Sequence, residues 1–140
     1  MSRYMVMRNS FAAIRFGAFY ATLVFLVGFA LGTLRVLVIA PEVGDLAAVL
    51  IELPVILGLS WLVFRMLAKI SESARTLPRG LISLCAFLVL IGLEFVLAAM
   101  VFSGGASAFL ASWLTLTGAI GLSGQVAFAL IPLIYWRVTN

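Results

Sequence analysis

Residues Ile14–Ala40, IRFGAFYATLVFLVGFALGTLRVLVIA, decide the class of this chain. After Arg15 at its start, the only charge in the stretch is Arg35. As a helix its 27 residues would extend about 40 Å, more than the roughly 30 Å hydrocarbon core of a bilayer. A soluble core helix needs one apolar stripe, whereas this segment is apolar on every side. It reads as a membrane span.

Three further runs read the same way: Leu46–Ile70, Leu81–Phe102 and Thr115–Trp136. Ala106–Leu114 reads as a short interfacial helix or as the opening of the last span. Pro41-Glu42-Val43-Gly44-Asp45 carries the turn residues of a tight loop, Ser71–Gly80 forms a polar loop, and Ser103-Gly104-Gly105 ends the third span. Pro54 lies inside the second span, which a membrane helix tolerates when neighbours satisfy the freed carbonyl. The expectation is a single all-α domain over residues 1–140, a polytopic transmembrane four-helix bundle. Hydrophobic residues make up 65% of the chain and charged ones 10%, which leaves no stretch for a soluble catalytic domain.

Charge placement orients the bundle. Seven of the nine basic residues (Arg3, Arg8, Arg15, Arg65, Lys69, Arg75, Arg79) lie in or beside the N-terminal segment and the second loop, while the first loop holds Glu42 and Asp45. Basic residues stay on the cytoplasmic side, so both termini are expected there. Trp113 and the pair Tyr135-Trp136 suit interfacial anchors. Residues Met1–Asn9 read as an amphipathic lead-in on the membrane surface or as disordered chain. A cleaved signal peptide is rejected, because the apolar stretch is too long and Arg35 interrupts its end. The net charge of +4 is topology signalling, not a nucleic-acid face. With no histidine and one cysteine, Cys85, neither a haem, zinc or di-metal centre nor an intrachain disulfide is expected, and no cofactor is implied.

Candidate chemistry rests on Arg35, Glu52 and Glu94, each inside a span where a lone charge costs several kcal/mol, about 2.5–3.5 on insertion scales. Counting inward from the outer ends places them roughly 9, 10 and 13 Å deep, in one layer that Gln125 of the last span also reaches. Arginine keeps its proton and pairs with one carboxylate; the second glutamate then needs a proton, a cation or further donors. Gly28 and Gly32 (a GxxxG pair on the face of Arg35) and Gly118 and Gly121 (on the face of Gln125) are expected to pack against other helices. Arg65 and Lys69 read as interfacial, Cys85 as core, and Thr115, Thr117 and Ser123 as packing hydroxyls.

The elements Gly32-Thr33-Leu34-Arg35, Pro41, Gly44, Glu52-Leu53-Pro54, Ser60-Trp61, Glu94 and Gly118/Gly121/Gly124-Gln125 resemble a group of small uncharacterised bacterial four-span membrane proteins. That resemblance implies four spans in a bacterial inner (cytoplasmic) membrane and brings no activity with it. The chain does not resemble the small multidrug-resistance transporters, whose single functional glutamate lies in span one, where Arg35 stands here. The first functional expectation is a transporter or channel for a small solute or ion, proton-coupled if a glutamate exchanges its proton, and assembled as a homo-oligomer in the bilayer. Arg35, Glu52, Glu94 and Gln125 would be its binding groups, with no catalytic and no metal-ligating residue. The alternative is a non-catalytic accessory subunit of a larger membrane complex, its charges serving assembly with a partner membrane subunit. An intramembrane lipid-acting enzyme is a minor third reading, since two carboxyls alone specify no reaction.

Overall fold

A computed structural model describes residues 2–101 and 103–139. Met1 of the lead-in and Phe102, the expected end of the third span, lie outside the described residues. Among the described residues the chain is all helical, with no strand. Helix α1 runs Arg3–Val43, α2 Asp45–Ile70, α3 Arg79–Val101, α4 Gly105–Ser112 and α5 Leu116–Thr139. All but α4 are long and apolar enough to cross a membrane. Large apolar side chains such as Leu37, Met66, Leu88 and Val126 stand exposed on them, which suits a lipid solvent and not water.

The first span does not stop at Pro41. Proline lacks an N–H and its ring crowds the carbonyl four residues back, so a regular helix would kink or end there. Here the helix widens instead into one π turn, Arg35–Ile39, in which the Ala40 N–H reaches the Arg35 carbonyl five residues back. Pro41 then enters a last α turn, Ala40–Val43. The link to α2 is Gly44 alone, at φ 87° and ψ 161°, a conformation open essentially to glycine. At the other end the lead-in is neither separate nor irregular. Ser2 caps α1 by accepting the Met5 N–H at 3.4 Å, and no breaker interrupts the chain between Arg3 and Gly17. At 41 residues α1 is about 60 Å long, twice the hydrocarbon thickness, so its basic first turns project beyond the packed helices.

Neighbour relations set the order of the long helices. Helix α1 packs on α3 and α2, while α5 packs on α2 and α3, giving the cyclic order α1, α2, α5, α3. The α1–α3 crossing is close because Gly17 has no Cβ; one there would stand 2.7 Å from the Ile82 carbonyl oxygen. The Cys85 thiol donates to the Ile14 carbonyl at 3.3 Å beside the same crossing.

The end carrying the basic residues is dry. Tyr20 of α1 stacks on Phe128 of α5 with centroids 4.7 Å apart, and Phe64 of α2 sets its edge to Tyr20 and to Tyr135 at 5.2 Å each. Ala74 and Leu77, from the 3₁₀ turn Glu72–Thr76 and the residue after it, close this layer from below. Pro132 leaves the Phe128 carbonyl without its helical donor, and the Tyr20 hydroxyl donates to that oxygen at 3.5 Å. A proline in one helix is thus served by a tyrosine in the helix diagonally opposite.

Candidate functional site

Above the aromatic layer the helices separate around a cavity of about 980 Å³, to which all five contribute. Its floor is Val24, Ser60, Leu90 and Phe128, and its far end lies at the α3–α4 and α4–α5 turns. Helix α4 forms a side wall. It folds back along α3, with Phe109 edge-on to Phe95 at 6.3 Å and to Trp113 at 5.4 Å. The segment 106–114 is therefore a separate short helix and not the opening of the last one.

Arg35, Glu52, Glu94 and Gln125 all line this one cavity. They form two clasps. Arg35 Nε and Glu52 Oε2 make an ion pair between α1 and α2, without the alignment of a hydrogen bond. Gln125 Nε2 donates to Glu94 Oε2 between α3 and α5. Helix direction explains why these residues meet. Side chains lean toward the N-terminus of their own helix, so those of α1 and α3 lean away from the far turns and those of α2 and α5 lean toward them. Gly28 lies against Ile56, which sets residue 32 level with 52 and leaves the Arg35 backbone about 4–5 Å nearer the far turns than that of Glu52. The opposing leans close that gap. Arg35 also opens the π turn, and its guanidinium lies over Gly32, whose missing Cβ leaves it room.

The environment is partly shielded. The Arg35 side chain is 30% exposed and that of Glu52 18%, so neither is fully enclosed by protein. Glu94 and Glu52 line the same cavity, so it holds two carboxyls. Among the described residues no basic group is paired with Glu94, and the Oε1 of Gln125 is buried with no hydrogen-bond donor. The described residues include no cluster of three metal-ligating side chains.

The glycines divide. Gly28 meets Ile56 of α2, and Gly118 lies against the Ser112 carbonyl at the α4–α5 turn. Gly121 meets nothing within 4 Å, and Gly32 meets only Arg35. All four line the cavity, so these stripes hollow the space out more than they close it. The tight glycine crossings are elsewhere, at Gly17 against α3 and at Gly124 against Leu53 of α2. Sequence reasoning passed over Tyr20 and the α4 wall. Pro132 was the available signal for Tyr20, since a proline inside an apolar helix demands an outside donor for a carbonyl four residues back.

Compared with protein-family models, with curated proteins and with solved structures, the chain matches none of them.

Proposed function

We propose that this protein is a small transporter or channel of a bacterial inner membrane. In this reading its long helices form a transmembrane four-helix bundle with both termini in the cytoplasm. The observation that carries the reading is the convergence of Arg35, Glu52 and Glu94, the charges deep within the long helices, on one cavity with mostly apolar walls. Groups that cost several kcal/mol to place in a membrane typically line substrate or ion paths. The clustering of basic residues at the terminal end, with Glu42 and Asp45 at the other, supports the orientation. The cavity then faces outward, and the Tyr20–Phe64–Phe128 layer seals the cytoplasmic side. Movement of a solute inward would require that layer to part.

The test is proton flux in proteoliposomes loaded with a pH-sensitive dye, under an imposed pH gradient, with Glu52→Gln and Glu94→Gln compared against the parent. Loss of flux with an unchanged unfolding curve supports the reading. Flux unaltered in both variants overturns it. The mass of the complex extracted gently from native membranes is the companion measurement. A homo-oligomer agrees with transport, whereas a stoichiometric larger subunit would reassign the clasps to assembly.

A further inference from the structure

The donors and acceptors of the cavity are unequal. Four of the six hydroxyls on its wall spend their protons on helix carbonyls: Thr33 on Phe29 at 2.8 Å, Ser60 on Ile56 at 2.7 Å, Ser112 on Phe109 at 2.6 Å and Thr115 on Ser112 at 2.6 Å. Each offers only lone pairs to an occupant. Arg35, the one cation among the described residues of the wall, is engaged by Glu52. The Gln125 amide spends an N–H on Glu94, while its Oε1 is buried and unpartnered. Two carboxylates against one guanidinium leave the lining with one net negative charge when both are ionised. The missing component is a cation that brings several donors.

We propose that the cavity binds a protonated primary amine carrying an apolar body, its ammonium held between Glu94 and the Oε1 of Gln125 once that amide, whose oxygen is otherwise covered, turns to meet it. An ammonium supplies three N–H donors, enough for the carboxylate and the orphan amide oxygen together. The apolar body lies among Phe109, Phe128, Leu97 and Leu122, and the ring faces favour the neighbouring positive charge. A volume of about 980 Å³ admits a drug-sized molecule. A carboxylate ligand meets Glu52 and Glu94 with the wrong sign. A quaternary ammonium has the charge but leaves the Gln125 oxygen unsatisfied. This inference rests on reading the cavity as a solute site and adds the class of solute.

The experiment is calorimetric titration of the full chain in lipid nanodiscs, with empty nanodiscs as blank, using three probes: phenethylammonium, its N-trimethyl analogue and 3-phenylpropionate. Phenethylammonium is expected to bind about tenfold or more tightly than either of the others. Glu94→Gln should weaken it by about tenfold or more while keeping an amide beside Gln125, and Gln125→Met should weaken it about threefold to tenfold. Unfolding curves verify that each variant is folded; if Glu94→Gln is not, Gln125→Met carries the test. Equal or tighter binding of phenylpropionate, or undiminished amine binding in the folded variants, overturns the proposal. Amine binding without amine flux in proteoliposomes would remove the transport reading and leave the site. Proton flux in a protein that binds no amine would do the reverse.

Discussion

Removing the α1–α2 clasp one side at a time, and then both at once, separates what it contributes to stability from what it costs. Glu52→Leu leaves the Arg35 guanidinium without its carboxylate in a mostly apolar wall. An unpaired arginine at the centre of a membrane helix costs about 2.5–3.5 kcal/mol. Arg35 is 30% exposed and sits eight residues before the end of α1, so about half of that, roughly 1–2 kcal/mol, is expected. Arg35→Leu strands Glu52, which is 18% exposed, for a similar loss of roughly 1–2 kcal/mol. Arg35→Leu with Glu52→Leu removes both charges together and fills their place with apolar atoms. Replacing a buried ion pair in this way is commonly neutral or stabilising, so the double variant should lie within about 1 kcal/mol of the parent. The assay is reversible unfolding by sodium dodecyl sulfate in mixed micelles, followed by the fluorescence of Trp61, Trp113 and Trp136. The cycle should return a coupling of about 2–3 kcal/mol. A double variant destabilised by the full sum of the singles would refute the reasoning, because the two side chains would then be contributing independently.

Other outcomes are expected elsewhere in the molecule. Gly17→Ala places a Cβ 2.7 Å from the Ile82 carbonyl and 3.3 Å from the Ala86 nitrogen, so α1 and α3 must part; a loss of about 1–3 kcal/mol in the same assay, with faster alkylation of Cys85, is expected. Tyr20→Phe removes the donor to the carbonyl that Pro132 frees and should cost about 1 kcal/mol. Glu94→Met with Gln125→Leu exchanges the second clasp for apolar packing and should leave stability within about 1 kcal/mol of the parent or above it, while abolishing flux. In a Cys85→Ala background, a membrane-impermeant maleimide should label Thr115→Cys in cells whose inner membrane is intact, and Ser73→Cys only after that membrane is breached.

Much of the fold was legible because apolar runs of twenty or more residues leave one helical solution in a bilayer. Charge placement likewise suggested a direction for the chain before any coordinate. What failed was local. Pro41 looks like a stop because proline ordinarily ends a helix, but a π turn at Arg35–Ile39 absorbs it and leaves only Gly44 as the link. The lead-in looked separable because it is basic, yet nothing between Arg3 and Gly17 breaks a helix. Helix order was beyond reach, since a glycine stripe does not say whether it meets a neighbour or a void. Gly17 and Gly121 look alike in sequence; one abuts the Ile82 carbonyl and the other meets nothing within 4 Å. The shared depth of Arg35, Glu52, Glu94 and Gln125 could be counted along the chain, whereas their division into two pairs follows from which helices are neighbours.

The two clasps differ in what stability can explain. Arg35 and Glu52 cancel each other's charge and neither is fully enclosed, so the pair joins α1 to α2 beside a one-residue turn without leaving a bare charge. Glu94 has no such compensation. Its partner is a neutral amide, a second carboxyl, Glu52, lines the same cavity, and the amide keeps a buried oxygen with no donor. A leucine and a methionine at these positions would join α3 to α5 at least as well. The aromatic layer does hold α1, α2 and α5 together without any charge, through Tyr20, Phe64, Phe128 and Tyr135. Packing therefore accounts for the dry half of the molecule and ion pairing for the first clasp, but neither accounts for Glu94 and Gln125. An incomplete pair on the wall of a cavity is what the proposed solute would complete, and on that proposal the solute, and not the fold, explains that glutamate.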